Sequence, residues 1–180
     1  MAANIVLPPL TTWAQQQLTA LFQATDQTAF DAAFDAFVAA QPTSLVVNGQ
    51  PLSRDAYKAQ IWQDKFLEAG AQVRFLGVNA VSSNPQQPVT AGEVGVFLQA
   101  TIDEQLLLMG APETRSVFLS LNLVVIQDPT LKPPTGPIHG FFDGRRVSAL
   151  TAVSTGDPSD AIVPPVINPG GPIQPAPSST

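Results

Sequence analysis

The apolar residues of this chain change their spacing near Gly70, from the period of a helix to the period of a strand. Before Gly70, Phe30, Phe34 and Phe37 share one face of an amphipathic helix. After it, apolar residues alternate with others over four segments, 72–81, 92–108, 116–127 and 138–153. Helices followed by strands predict an α+β fold, in which an antiparallel sheet wraps around helices that lie on one side.

Local signals place the ends of the first elements. Side chains that cap helices predict three helix starts, at Thr12, Asp26 and Ser53. The third helix is expected to stop at Gly70, because glycine is common just beyond a helix end. The pair Asn48-Gly49 lies between apolar residues and predicts a tight hairpin turn, which needs positive φ at both positions. Gly95 predicts a β-bulge in the second long strand.

The last part of the chain differs in composition from the rest. Residues 156–180 contain 7 of the 18 prolines and no aromatic residue, which disfavours helix and central strand. We therefore expect one domain over residues 1–155 and a Pro-rich extended tail over 156–180. The tail also carries an apolar run, so we expect Ile162–Ile167 to pack on its own domain or on a partner subunit; the alternative is a plain linker.

Charge and residue usage exclude several classes of function. The net charge is −6 and the first basic residue is Arg54, so no basic surface is expected for nucleic acid or an anionic membrane. The sequence shows neither a signal-peptide pattern nor a membrane-spanning apolar run, which predicts a cytoplasmic protein. It contains no cysteine and one histidine, so no metal site and no cofactor are predicted.

The phrase from Val47 to Tyr57, which runs into the third helix, resembles the nuclear transport factor two-like superfamily, which includes SnoaL-like polyketide cyclases, steroid Δ-isomerases and scytalone dehydratase. Four other segments resemble uncharacterised members from mushroom-forming fungi, namely 111–114, 120–125, 131–134 and 140–150. The resemblance implies a cone-shaped fold, in which a curved sheet and three helices enclose a pocket. It also implies that the outer face of the sheet pairs two subunits into a homodimer.

Two functions fit this resemblance. The first is an apolar pocket that binds a small hydrophobic molecule without established catalysis. The alternative is a cofactor-independent lyase or isomerase, a SnoaL-like cyclase, dehydratase or isomerase, because family enzymes place an Asp or His inside the cone as a general base. His139 is the candidate base, with Phe141 on the same strand face; a histidine at the solvent-exposed end of the strand is the other interpretation.

Four further residues are candidate pocket residues. Tyr57 and Trp62 lie on the third helix and either line the pocket or pack in the core. Asn122 interrupts an apolar strand, which suggests a pocket donor or an interface hydrogen bond, and either Tyr57 or Asn122 is the expected oxyanion partner of His139. Glu104 is in phase with the apolar residues of its strand and is either a cavity acid or the ion-pair partner of Arg115.

Overall fold

The computed structural model describes residues 7–65, 68–108, 111–132 and 142–156. Within these residues, three helices and six strands follow one another in the order α1 Leu10–Gln23, α2 Gln27–Phe37, β1 Ser44–Val47, β2 Gln50–Pro51, α3 Arg54–Lys65, β3 Glu68–Ser82, β4 Gly92–Leu108, β5 Ala111–Gln127 and β6 Arg145–Thr155. This order confirms the predicted α+β class. The predicted tail beyond residue 156 lies outside the described residues, so its separation from the domain stays a prediction.

The strands form one open sheet in the order β2-β1-β6-β5-β4-β3. Neighbouring strands run antiparallel except β1 and β6, which run parallel. Irregularities in pairing occur in β3 between Phe75 and Gly77 and in β4 between Asp103 and Leu107. Such bulges bend a strand and increase its twist, which helps a sheet to curve around helices.

Gly95 serves a different purpose from the predicted bulge. It lies in regular pairing, opposite Asn79 of β3 on one side and Asn122 of β5 on the other. A Cβ atom at position 95 would lie 2.4 Å from Oδ1 of Asn79. Glycine therefore gives room to a neighbouring amide, and the expectation of a bulge at this position is wrong.

Two of the three predicted helix caps are confirmed. The side chain of Asp26 accepts a hydrogen bond from the amide of Ala29 (2.8 Å), and Ser53 Oγ accepts one from the amide of Ala56 (3.1 Å). Thr12 instead lies inside α1, which begins at Leu10 after Pro9 without a side-chain cap.

The predicted hairpin is present, but the end of the third helix differs from expectation. Asn48 and Gly49 have φ values of 49° and 79° between β1 and β2, as the turn type requires. Helix α3 ends at Lys65, and Gly70 belongs to β3, which already begins at Glu68. A register shift at Glu68 and Gly70 accompanies the start of that strand.

The core lies between the helices and the concave inner face of the sheet. Trp13 of α1 and the phenylalanines of α2 are almost completely buried, and the ring centroids of Trp13 and Phe37 lie 6.3 Å apart. Alternate residues of β4 point into this core, including Val96 and Leu98. The apolar residues that alternate along the strands thus form the sheet side of the core, and the apolar residues with helical spacing form the other side.

Candidate functional site

A cavity of about 210 Å³ lies between the inner face of the sheet and helices α1 and α3. Residues from six elements, α1, β1, α3, β4, β5 and β6, and Gly156 just after β6 form its wall: Leu18, Leu21, Phe22, Val47, Tyr57, Gln60, Ile61, Ile102, Arg115, Val117, Leu119, Leu121, Ala152, Ser154, Thr155 and Gly156. A mostly apolar pocket with a few polar groups is the usual form of a small-molecule site.

The cavity is apolar at its inner end and polar at its mouth. Leu21 and Leu121 are buried among the core residues, whereas Gln60, Arg115 and Gly156 are exposed to solvent. A molecule that entered would place an apolar body inside and a polar group at the mouth.

The wall residues of α3 and of β5 share one face of their element because of their spacing in the sequence. Tyr57 and Ile61 are four residues apart on α3, so their side chains lie on the same face of the helix. On β5 the wall residues are every second one from Arg115 to Leu121, which is the period of a strand face. Gln60, Arg115 and the end of β6 were not predicted to belong to a site, although the period of β5 places Arg115 in phase with the apolar wall residues.

Tyr57 combines the two roles that its sequence position suggested. Its ring centroid lies 6.0 Å from that of Phe34 in the core, and the residue also forms part of the cavity wall. Burial raises the pKa of the Tyr57 hydroxyl far above its usual range, because the charged phenolate would lose its solvation. The hydroxyl therefore stays protonated at neutral pH and can donate a hydrogen bond, but it cannot act as a base there.

Trp62 lies elsewhere on α3. Its ring packs against Phe30 of α2 with centroids 5.1 Å apart, and it does not belong to the cavity wall. Of the two roles that the sequence allowed, its position corresponds to core packing.

Asn122 lies on the outer face of the sheet. It is exposed, whereas its neighbours Leu121 and Leu123 point into the core. The sheet thus separates Asn122 from Tyr57, and Asn122 cannot serve as a donor inside the cavity or as the oxyanion partner of a base there. The interface alternative remains a prediction.

Three predicted site residues fall beyond what the structure describes. His139 and Phe141 lie outside the described residues. The backbone of Glu104 belongs to β4 and pairs with Glu68, but its side chain is also outside the described part. Their roles stay predictions.

The described part of the chain carries neither a candidate metal site nor a candidate membrane-spanning helix. Its His, Asp and Glu side chains form no group of three or more that could hold a metal ion. None of its helices is both long and apolar enough to cross a membrane.

The outer face of the sheet carries exposed apolar side chains. Val81, Val124 and Val153 are 75%, 37% and 59% exposed, and they are the exposed large hydrophobic residues among those described. All three share this face with Asn122, as the pairing of β3, β4, β5 and β6 shows.

Comparison with known proteins gives matches in structure only. No protein-family model matches the sequence, and no curated protein matches it. AclR from Streptomyces galilaeus superposes with a TM-score of 0.53 at 13% identity, covering 83% of this chain and 81% of AclR. An NTF-2 like protein of unknown function from Pseudomonas aeruginosa gives 0.51 at 13% identity over 81% and 97% of the two chains.

A third match is Mtr2 from Candida albicans, with a TM-score of 0.53 at 15% identity over 84% of this chain and 96% of Mtr2. At these identities the matches establish the fold, and they confirm the cone-shaped fold that the sequence resemblance implied. The resemblance to proteins of mushroom-forming fungi stays a prediction.

Proposed function

We propose that this chain, which has the nuclear transport factor two-like fold, binds a small hydrophobic molecule in the cavity between its sheet and helices α1 and α3. The observation that carries the proposal is the polarity of the wall, which is apolar inside and polar at the mouth. Burial of apolar surface would supply the affinity, and the mouth would fix the orientation of the molecule.

The volume of the cavity limits the size of the ligand. An engineered apolar cavity of about 150 Å³ holds one benzene molecule. The cavity of about 210 Å³ is somewhat larger, which favours a compact molecule of one or two rings. Arg115 and Gln60 at the mouth favour a carboxylate or another hydrogen-bond acceptor on that molecule.

Calorimetric titration with 2-naphthoic acid tests this proposal. We expect Val117→Trp to weaken binding at least about tenfold, because the larger side chain would fill the half-buried wall. Gln16→Trp, on the exposed face of α1, is the matched control and should bind like the wild type. Equal affinities of the two variants would rule out this cavity as the binding site.

The alternative of acid/base catalysis has less support. Among the described wall residues, Tyr57 and Arg115 are the titratable side chains; burial raises the pKa of the Tyr57 hydroxyl, which stays protonated at neutral pH, and a guanidinium has no acceptor site for a proton. The described wall therefore provides no carboxylate or imidazole base. A catalytic role rests on His139, whose position is outside the described residues.

We further propose that the outer face of the sheet pairs with the same face of a second copy of the chain. Asn79, Gly95 and Asn122 stand side by side across β3, β4 and β5, and an amide can both donate and accept, so the two asparagine amides can pair with those of a second copy across a two-fold axis. The exposed valines on either side would become buried.

Charge supports pairing with a second copy. Arg74 of β3 lies opposite Gln99 of β4 near one end of the outer face. Glu93 lies on the same face, six residues before Gln99 along β4 and therefore about 20 Å from it. A two-fold axis between these positions would place the cation of one copy near the anion of the other.

Light scattering on Asn122→Arg tests this pairing. The substitution would place two cations close to the axis, and we expect a dimer to become a monomer. Gln16→Arg adds the same charge on α1 and should stay dimeric. A wild-type protein that is monomeric at all concentrations would exclude the proposed dimer.

A further inference from the structure

The side chain of Asn48, in the turn between β1 and β2, is hydrogen-bonded to the backbone N–H and to the hydroxyl of Ser154 in β6. The N–H of Ser154 donates to Oδ1 of Asn48 (2.8 Å), and Nδ2 of Asn48 donates to Oγ of Ser154 (3.1 Å). The backbone N–H of Asn48 also donates to the carbonyl group of Ala152 (2.9 Å). Three hydrogen bonds thus fix the turn to the end of β6, just beyond the last pair of the parallel ladder, Val47 and Ala152.

The backbone N–H of Ser154 sets the direction of these hydrogen bonds. It can only donate, so the atom of the Asn48 amide that faces it must be the carbonyl oxygen. The NH₂ group of Asn48 then faces the Ser154 hydroxyl, and because this group can only donate, the hydroxyl oxygen accepts. The hydroxyl proton of Ser154 is therefore directed away from Asn48.

Ser154 belongs to the cavity wall, whereas Asn48 does not. Along β6, Ser154 alternates with the buried wall residue Ala152, while Val153 between them is exposed on the outer face. Within the described part of the chain, no oxygen accepts a hydrogen bond from the Ser154 hydroxyl. The half-buried wall thus offers a donor to a molecule that enters the cavity.

We propose that Ser154 determines the specificity of the cavity by donating a hydrogen bond to a carbonyl oxygen of the bound molecule, and that Asn48 is the positioning residue that directs this donor. The proposal rests on the proposed ligand-binding function and assigns the class of ligand, an apolar molecule that carries a carbonyl group. A ligand without an acceptor would leave the hydroxyl proton of Ser154 unpaired, which costs affinity.

Two neutral probes of similar shape test the donor role by calorimetric titration. 2-Acetylnaphthalene carries a carbonyl oxygen where 2-isopropenylnaphthalene carries a CH₂ group. We expect Ser154→Ala to lower the ratio of the ketone affinity to the hydrocarbon affinity about three- to tenfold, without weakening the binding of the hydrocarbon. Ser154→Thr keeps a hydroxyl and should keep the wild-type ratio.

Asn48→Asp tests the direction of the hydrogen bond. A carboxylate only accepts, so it would take the hydroxyl proton of Ser154 away from the ligand. Aspartate followed by glycine is also favoured in this type of turn, so the fold should be kept. We expect the affinity ratio to fall as far as in Ser154→Ala. Asn84→Asp, in the exposed β3–β4 connection and outside the cavity wall, adds the same charge and should keep the wild-type ratio.

The outcomes distinguish this proposal from the ligand-binding function. If both probes bind but Ser154→Ala leaves the ratio unchanged, the donor role of Ser154 is overturned and binding in the cavity stands. A lower ratio in Ser154→Ala but not in Asn48→Asp would overturn the role assigned to Asn48. If the wild type binds neither probe, the ligand-binding function fails, and the donor role fails with it.

Discussion

The guanidinium group of Arg145 forms a two-point ion pair with the carboxylate of Asp143, with Nε at 2.9 Å from Oδ1 and Nη2 at 2.6 Å from Oδ2. Arg145 is completely buried, although it stands at the start of β6. Its Nη1 atom donates to the carbonyl groups of Pro8 (2.7 Å) and Val89 (2.9 Å), and the guanidinium lies 5.4 Å from the ring centroid of Trp13. One side chain thus joins the start of α1, the β3–β4 connection and β6.

Removal of the carboxylate from this pair should be costly. We expect Asp143→Ala to lower the free energy of unfolding by about 3–5 kcal/mol, because it leaves a buried cation without its counter-ion. Asp35→Ala is the control, since the side chains of Arg54 and Asp35 are 21% and 58% exposed, and it should cost less than about 1 kcal/mol. Denaturant titration measures both; a similar small loss in the two variants would contradict the structural role of Arg145.

The phenol of Tyr57 should resist ionisation in the folded protein. Burial raises its pKa, so the folded state keeps its proton at a pH where the unfolded chain loses it, and stability falls as pH rises above the ordinary value of about 10. Because Tyr57 is the only tyrosine, the absorbance of phenolate reports on this residue alone. We expect no phenolate near pH 10 in the native protein and about half ionisation in concentrated guanidinium chloride. Equal titration in both states would show that the hydroxyl is solvated.

Gly92 permits a close approach of two strands. A Cβ atom there would lie 2.2 Å from the carbonyl oxygen of Val81 and 2.9 Å from Cα of Ser82, and backbone atoms cannot move aside cheaply. We expect Gly92→Ala to destabilise the fold by about 1–3 kcal/mol, measured by thermal unfolding. Gly77→Ala is the matched control in β3, because a Cβ atom there meets nothing within 4 Å, and it should be neutral or slightly stabilising. The reverse order of the two effects would refute this account.

Acid should weaken the contact between α2 and α3. Lys58 donates to Asp31 at 2.9 Å, and this hydrogen bond, with a second from Gln27, lowers the pKa of the Asp31 carboxyl. A lowered pKa gives stability that is present above the unfolded value and is lost as pH falls through the folded value. Asp31→Asn should therefore melt below the wild type at about pH 6, and the difference should vanish at about pH 2. The same difference should shrink in high salt, because the pair is accessible to solvent; a difference that persists in acid would exclude the ion pair as its cause.

Much of the fold could be predicted because its signals are local. The cap at Asp26 and the Asn48-Gly49 turn depend on neighbours within a few residues, and both are present. The predictions of a helix end at Gly70 and of a bulge at Gly95 were wrong, because glycine occurs at helix ends, at bulges and also where a neighbouring side chain needs space. At Gly95 the deciding neighbour is Asn79, on another strand.

The sequence by itself determined that helices precede long alternating strands, since the period of apolar residues is a property of each segment alone. Only the tertiary structure decided which face of β5 is inside, because both faces of that strand carry apolar residues. That choice places Asn122 outside and Arg115 at the cavity mouth. The tertiary structure also decided that Arg145 is buried. Its partners Pro8 and Val89 lie far from it along the chain and contact it only when the sheet packs over α1.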